Sequence, residues 1–315
     1  MTGSGVRRLF LAAAGCAATS LAAAAQEAKP AAEQVFRAHS DLVVLHVNVF
    51  DGRSDAVPGL PQDAFSIVED GKPQQISFFN SADVPVSVGL VLDNSGSMIA
   101  RQKMVVAGGL AFAAASHPED ELFVIIFNEN VRFGLPRTVS FTHNRAMIQG
   151  ALSRFPPGGK TALHDAVVAA IDHLENAAHQ KRILIVLSDG EDNASRLSKE
   201  DMLDKAARSN TIIYTVSSAM AGRAGDDGDA RVLRRLADAS GGTAYFPRDD
   251  RDLVGAFAEI ADNVRRGYAL GYEPSNATHD GGFRRVQVRV RVPGRRNLTV
   301  RARDGYLASD HPGTR

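Results

Sequence analysis

The sequence has little of several residue types that carry chemistry. It contains no tryptophan and one cysteine, Cys16, among 315 residues. Cys16 lies in the N-terminal apolar segment, so a chain cleaved after Ala25 would have no cysteine. Disulfides, zinc–thiolate sites and cysteine nucleophiles would then be excluded. No later apolar run is long enough to span a membrane, so we predict no membrane span in the mature chain.

An excess of charge of one sign is also missing. Lysine and arginine together number 36, and aspartate and glutamate together also number 36. This balance gives no indication of nucleic acid or an anionic membrane as a partner. The lack of tryptophan argues in the same direction, because aromatic side chains form the platforms on which bases stack. We therefore predict no nucleic-acid partner.

The N-terminus has the pattern of an export signal. Arg7-Arg8 precedes an apolar run, Leu9 to Leu21, and Ala23-Ala24-Ala25 supplies small residues at the cleavage positions. We predict a signal peptide over residues 1–25 and an exported protein that is periplasmic, secreted or associated with the cell envelope. Three alternatives stay open, namely a short membrane anchor, a twin-arginine signal and a lipid anchor at Cys16.

Between residues 86 and 264, apolar runs alternate with helical patterns. Strands are predicted at 86–92, 122–127, 182–187, 211–216 and 244–247, and helices at 103–116, 143–155, 161–178, 198–208, 230–239 and 249–264. Alternation of this kind is typical of right-handed βαβ units around a mostly parallel sheet. The predicted fold class is therefore α/β, with a Rossmann-like doubly wound sheet.

The two flanks of this region have β character instead. Strands are predicted at 41–50, 267–272, 285–292 and 297–302, and a hairpin at 65–79 turns at Asp70-Gly71. Few strands on either side would be marginal alone, so we predict that both flanks form one β-sandwich with the α/β domain inserted. The arginines at alternate positions of 285–292 fit a polyanion site or, more simply, the solvated face of a half-buried sheet.

These patterns predict the following division of the chain. It consists of a signal peptide (1–25), a flexible spacer (26–34), an N-terminal β segment (35–82), the α/β domain (83–266), a C-terminal β segment (267–308) and a tail (309–315). The spacer contains alanine, glutamate and proline, a composition that favours flexibility over a packed structure.

Hard oxygen donors follow two of the apolar runs and one glycine-rich loop. Asp93, Ser95 and Ser97 come directly after the first buried run, Asp189 ends another, and Thr161 follows Pro156-Pro-Gly-Gly-Lys160. Such oxygens suit Mg²⁺, Mn²⁺ or Ca²⁺. The carboxyl ends of neighbouring parallel strands meet at one sheet edge, so we expect these loops to lie close together.

Other polar residues occur beside these donors. For His164 the alternatives are an approach to the metal and packing on the loop, and we expect packing. Asp165 either orients the Thr161 loop or simply occupies a first helical turn. Glu191 and Asp192 are either extra metal ligands or part of a solvated loop, and we expect the solvated loop.

The motifs resemble the metal-ion-dependent adhesion site of von Willebrand factor type A domains. They are Asp93-x-Ser95-x-Ser97, Thr161 in Gly-Gly-x-Thr-Ala-Leu, and Asp189 in Ser-Asp-Gly. The resemblance implies that the three hydroxyls bind the metal and that the two carboxylates act partly through water. It also implies Mg²⁺ or Mn²⁺, with Ca²⁺ possible, and one coordination place filled by an Asp or Glu of a protein ligand.

The flanking segments carry a second resemblance. Leu45 to Phe79, with Glu69-Asp70-Gly71, and the later motifs Gly271-Tyr272-x-Pro274 and Asp304-Gly305-Tyr306 resemble exported bacterial proteins of the acidobacterial von Willebrand factor A-related family. The resemblance implies an exported adhesion or scaffold module that grips a protein ligand through its metal.

Two other functions remain open at this point. One is a structural subunit of an envelope complex whose metal orders loops. The other is a metal-dependent hydrolase, since Mg²⁺ with carboxylates can support hydrolysis. The sequence has no Gly-x-Ser-x-Gly elbow, no cysteine nucleophile in the mature chain and no His-Glu-x-x-His run. We therefore predict that the protein is not an enzyme.

Overall fold

The computed structural model describes residues 42–52, 55–219 and 228–308. The predicted signal peptide, spacer and tail lie outside these ranges. In chain order the strands are β1 (Val43–Phe50), β2 (Phe65–Glu69), β3 (Lys72–Gln74), β4 (Ile76–Asn80), β5 (Ser87–Asp93), β6 (Glu121–Phe127), β7 (Val131–Phe133), β8 (Arg182–Ser188), β9 (Thr211–Ser217), β10 (Ala244–Tyr245), β11 (Tyr268–Tyr272), β12 (Phe283–Val290), β13 (Thr299–Arg301) and β14 (Gly305–Leu307). The α-helices are α1 (Gln102–Ala115), α2 (Arg145–Leu152), α3 (Leu163–Leu174), α4 (Lys199–Arg208), α5 (Gly228–Ser240) and α6 (Asp250–Arg266).

A six-stranded sheet of order β10-β9-β8-β5-β6-β7 forms the centre of the structure. All its neighbouring strands are parallel except the edge pair β6–β7, which is antiparallel. Every residue of β5, β6 and β9 is buried, as expected for strands covered on both faces by helices. The predicted α/β class is confirmed. Within the described ranges, no helix is both long enough and apolar enough to cross a membrane.

Helix α6 packs against α1 where the ring of Phe257 contacts Gly108. A Cβ atom at Gly108 would lie 2.6 Å from the ring of Phe257, so only glycine lets the ring approach this closely. Phe257 is fully buried, and Leu253 and Ile260 on the same face of α6 are also buried. The face of α6 towards the domain core is therefore apolar, as its helical periodicity requires.

The flanking segments form two further four-stranded sheets, of order β13-β1-β11-β4 and β14-β12-β2-β3. Each sheet combines strands from before and after the α/β domain, and one hydrophobic cluster contains buried residues from both. The prediction of one β-sandwich with an inserted domain is confirmed. The turn at Asp70 (φ 46°) and Gly71 (φ 83°) is also as predicted.

The second arm of the predicted hairpin differs from the structure. β3 pairs with β2, as a hairpin requires, but β4 pairs with β11 in the other sheet. The chain therefore changes sheets at Gln75, between two strands that the sequence pattern joins into one. An apolar alternation does not reveal which sheet accepts a strand, because that choice depends on distant residues.

A buried carboxylate links the motifs that carry the second resemblance. Glu69 is 2 % exposed and accepts hydrogen bonds from Tyr272 Oη at 2.7 Å and Tyr306 Oη at 2.8 Å. Asp70 Oδ1 accepts the Arg285 N–H at 2.9 Å beside them. A buried charge needs partners of this kind. These motif residues thus join the segment before the α/β domain to the segment after it within the sandwich.

Polar side chains fill the junction between the sandwich and the α/β domain. Asn48 Nδ2 donates to Tyr214 Oη at 3.0 Å, and Lys181 Nζ donates to the Val264 carbonyl at the end of α6. Burial lowers the pKa of Lys181 to about 8. His46 Nδ1 is buried here and has no hydrogen-bond partner among the described residues.

His46 makes the protein sensitive to acid. Burial, together with the positive charges of Lys181 and Arg303, lowers its pKa from 6.5 to about 3. Below pH 6.5, His46 binds a proton in the unfolded chain but not in the folded chain. The free energy of unfolding therefore decreases as the pH falls from 6.5 towards 3. The free energy of unfolding should decrease by up to about 1.4 kcal/mol per pH unit through this group.

Urea unfolding of the natural protein and a His46→Gln variant, followed by circular dichroism across this pH range, measures the effect. The variant should lose less stability on acidification, and the two curves should run in parallel above pH 7. Parallel curves below pH 6 as well would show that His46 does not carry the effect.

Candidate metal centre

The loop after β5 holds the first three candidate ligands. Asp93 Oδ1 accepts the Ser95 N–H at 2.9 Å, and its Oδ2 accepts the Ser188 hydroxyl at 2.7 Å. The Oγ atoms of Ser95 and Ser97 lie 3.1 Å apart. A short 3₁₀ helix, Gly96–Met98, follows and closes the loop. The sequence analysis did not single out Ser188, although it belongs to the Ser-Asp-Gly motif.

Asp189 reaches this loop from the neighbouring strand. β5 and β8 pair in parallel with Leu92 opposite Leu187, so both strands end at the same edge of the sheet. Ser97 Oγ donates to Asp189 Oδ2 at 2.8 Å. Ser97 is exposed and Asp189 is half-buried, whereas Asp93 and Ser95 are buried. The accessible side of the cluster is therefore formed by Ser97 and Asp189.

Thr161 is held beside the cluster by two sets of hydrogen bonds. The Gly96 N–H donates to the Gly159 carbonyl at 3.1 Å, which joins the glycine-rich loop to the serine loop. Asn193 Oδ1 accepts the Thr161 N–H at 2.9 Å, and the N–H groups of Asn193 and Ala194 both donate to the Thr161 carbonyl at 3.0 Å. Thr161 thus lies between the two loops that carry the carboxylates.

The buried carboxylate gives the site its electrostatic character. Burial, with a smaller contribution from the charge of Asp189, raises the pKa of Asp93 to about 6 against the opposing hydrogen bonds from Ser95 and Ser188. A bound cation would stabilise the carboxylate form. The five predicted residues supply three hydroxyls and two carboxylates, a set of hard oxygens that fits a divalent cation such as Mg²⁺.

Carboxylates and histidines alone do not make a metal site here. Within the described ranges, no group of three or more His, Cys, Asp or Glu side chains is placed to hold a metal ion. Any divalent ion at this edge of the sheet would therefore depend on the hydroxyls of Ser95, Ser97 and Thr161. This dependence is consistent with the motif, in which hydroxyl residues outnumber carboxylates.

A second layer of hydrogen bonds supports the Asp189 loop. Asp192 Oδ2 accepts from the Ser195 hydroxyl at 2.6 Å and the His164 N–H at 3.0 Å, so the prediction that Asp192 is solvated is wrong. Asp165 accepts the N–H groups of Arg196 and Leu197, and therefore orients this loop as well as starting α3. Asp192 Oδ1 also accepts the Ser195 backbone N–H at 3.2 Å, so these residues brace the loop through hydrogen bonds.

Asn193 should control metal affinity without being a ligand. We expect Asn193→Ala to weaken Mg²⁺ binding by about 10–100-fold, because it frees the backbone that positions Thr161. Isothermal titration calorimetry measures this loss, with exposed Asn176→Ala at the end of α3 as the matched control. Equal affinities in the two variants would show that Asn193 does not position the site.

Comparison with known proteins agrees with the geometry. Residues 88–191 match the family model of the von Willebrand factor type A domain, and all five candidate ligands lie in this range. The central domain has the von Willebrand factor type A fold. A von Willebrand factor type A structure from Catenulispora acidiphila is 18% identical, with a TM-score of 0.50 over 86% of this chain and 74% of that chain.

Two pilus proteins of known structure are also similar to the chain. The vWF domain of the type V pili tip protein Mfa5 from Porphyromonas gingivalis is 13% identical, with a TM-score of 0.45 over 58% of this chain and 96% of that chain. The PilB minor pilin from Streptococcus sanguinis is 12% identical, with a TM-score of 0.47 over 59% and 63%. Comparison with curated proteins finds no significant match. At these identities the likeness concerns the fold alone.

Proposed function

We propose that the protein is an exported, divalent-metal-dependent protein-binding module that acts in adhesion or as a scaffold. The observation that supports this most is the hydrogen bond from Ser97 Oγ to Asp189 Oδ2, 2.8 Å long, which joins two loops of the five-residue motif. Thr161 is hydrogen-bonded to the Asp189 loop, and Gly159, in the glycine-rich loop before it, is hydrogen-bonded to the serine loop. Three separate parts of the sequence thus contribute oxygens to one edge of a von Willebrand factor type A fold.

In this proposal Asp93, Ser95, Ser97, Thr161 and Asp189 hold Mg²⁺ or Mn²⁺. The metal supplies an electrophilic centre that binds a carboxylate of the partner. Because the two carboxylates are proposed to act partly through water, few negative charges contact the ion directly, and an Asp or Glu of the ligand fills the open coordination place. The exposed position of Ser97 gives such a side chain access.

Two measurements test the proposal in sequence. Electron paramagnetic resonance of Mn²⁺ first determines whether the chain binds the ion and whether Thr161→Ala abolishes binding. Exposed Asp63→Ala in the sandwich serves as a control that should bind normally. Absence of Mn²⁺ binding by the natural protein would refute the metal site.

The second measurement concerns the ligand. Envelope extract is passed over immobilised protein in Mg²⁺, and bound proteins are eluted with EDTA. The captured protein is then purified, and its Asp and Glu residues are substituted in turn. One substitution should abolish Mg²⁺-dependent binding. A protein that binds the metal but captures no ligand by this route would instead fit the structural-subunit alternative.

A further inference from the structure

Arginines are concentrated in one short part of a chain that is neutral overall. Residues 283–303 contain eight arginines and no aspartate or glutamate, although the whole chain has equal numbers of basic and acidic residues. These residues form β12, β13 and the loops that follow them, all in the sandwich. The charge is therefore local, and the overall balance conceals it.

Three of the eight arginines have structural partners. Arg284 is buried and donates to Asp280 Oδ1 at 2.7 Å, Arg301 lies 3.5 Å from Asp238 Oδ1, and Arg303 donates to Asn210 Oδ1 at 2.9 Å. These side chains fasten loops and the domain junction. Their presence is explained by the fold.

The other five arginines have no such explanation. They are all exposed, and none forms an ion pair with an acidic side chain of the described residues: Arg285, Arg289, Arg291, Arg295 and Arg296. We call these five residues the arginine strip. Arg289 donates only to the Gln287 side chain, its neighbour on the same face.

The strand period places Arg285 and Arg289 on one face of β12, and Arg291, Arg295 and Arg296 follow in the segment after it. Buried residues of β12, Arg284 and Val286, alternate with exposed Arg285, Gln287 and Arg289. Side chains two residues apart on a strand are about 7 Å from each other, so the guanidinium groups form an extended row and not a pocket. The sequence analysis favoured a solvated sheet face for these positions, and the burial pattern agrees with it.

An aromatic ring stands at one end of the row. Phe283 is 52% exposed and lies on the same face, with its ring over Gly305 on β14. Leu307 pairs with Phe283 in the register and is partly exposed. Exposed apolar groups beside arginines are typical of surfaces that insert rings between lipid headgroups. A soluble polyphosphate, which has no apolar part, would use the charges but not the ring.

We propose that the arginine strip and Phe283 form a docking surface for an anionic phospholipid membrane. Guanidinium groups bind phosphate in a bidentate way, and an extended exposed row suits an array of headgroups better than one small anion. The mature chain would then lie on a membrane without crossing it. This surface does not include any residue of the metal centre, so membrane docking and the proposed function can be tested independently.

Vesicle sedimentation tests the proposal on the full chain in EDTA. The probes are vesicles of phosphatidylcholine alone and of phosphatidylcholine mixed with phosphatidylglycerol. Because residues 1–25 are the same in every variant, the readout is the difference in binding between the two vesicle types. The test variant is Arg285→Gln/Arg289→Gln/Arg291→Gln. The matched control is Arg137→Gln/Arg248→Gln/Arg251→Gln, three exposed arginines of the α/β domain.

We expect the natural protein to prefer anionic vesicles and the strip variant to bind them about 100-fold more weakly, since each arginine near a membrane contributes about 5-fold. The control should bind normally. Phe283→Ser should weaken binding to vesicles but not to soluble polyphosphate. Unaltered melting temperatures would show that the variants fold. Replacement of the same arginines by lysine keeps the charge but not the bidentate contacts, so it should weaken binding less than replacement by glutamine does.

Three results would overturn the proposal. One is equal sedimentation of the natural protein with both vesicle types. Another is an equal loss in the strip variant and the control variant, which would indicate non-specific charge attraction. The third is strip-dependent binding to polyphosphate with no effect of Phe283→Ser on vesicles, which would indicate a soluble polyanion as the partner.

Discussion

Replacing Asp93 with asparagine is expected to abolish Mg²⁺ binding without lowering the melting temperature of the metal-free protein. Asp93 is 2% exposed, and burial of its carboxylate near Asp189 is unfavourable when no cation is bound. Asparagine keeps Oδ1 as the acceptor for the Ser95 N–H, and its amide can donate to Ser188 Oγ. The fold therefore retains its hydrogen bonds, while the metal loses a charged partner.

Thermal unfolding with and without Mg²⁺ measures both parts of this prediction. At a Mg²⁺ concentration 100 times the dissociation constant, the natural protein should gain about 2.7 kcal/mol of stability. The variant should gain none and should bind at least about 100-fold more weakly. Asp63→Asn, an exposed acid of the sandwich, should behave like the natural protein. A variant that unfolds at a much lower temperature in EDTA would indicate that Asp93 is mainly structural.

Removing the ring of Phe257 should have the largest effect on stability. We expect Phe257→Ala to lower the free energy of unfolding by about 3–5 kcal/mol, since it leaves a cavity between α6 and α1. Gly108 has no side chain to fill that space, and the backbone around it is helical and cannot collapse easily. This loss is a large fraction of the stability of an ordinary domain.

Urea unfolding followed by circular dichroism determines the effect. Arg251→Ala on the exposed side of the same helix changes helix composition but not the core, and should alter stability by less than about 0.5 kcal/mol. A loss below about 1 kcal/mol for Phe257→Ala would mean that α1 and α6 can repack around the gap, contrary to the close fit at Gly108.

The features of the fold that the sequence predicted well are those with strong local signals. The buried runs of β5 and β8 begin and end within a residue or two of their predicted limits. α4 begins after Ser198 as predicted, because Ser198 Oγ accepts the Asp201 N–H and Asp201 Oδ2 accepts the Ser198 N–H. Such signals involve residues close in sequence.

Very short strands, and elements that depend on distant residues, were not predicted. β7 and β14 have three residues each, too few for a recognisable alternation, and they exist because β6 and β12 offer free edges. The switch of sheets at Gln75 has the same origin, since β4 is selected by β11, almost two hundred residues later. Helices α2 and α3 are shorter than predicted because their predicted ends belong to loops beside the sheet.

The candidate site shows a similar division. The motif contains all five proposed ligands, and the structure gathers their loops at one sheet edge, while their binding of metal remains a prediction. The supporting residues were harder to find. Asn193 and Asp192 act through backbone contacts with Thr161 and His164, which lie about thirty residues away and become neighbours only in the folded chain. No spacing rule in a single sequence contains that information.

The insertion of the α/β domain into the sandwich has a mechanical consequence. Two chain segments join the parts, residues 81–86 after β4 and Gly267 before β11, and β4 and β11 are paired at that end. A pull on the α/β domain along these strands is therefore shared by two covalent connections. The same force would shear β11 along β1, where the two strands pair at five positions. All five positions then bear the force together, and such a pair is harder to break than one whose positions separate one after another.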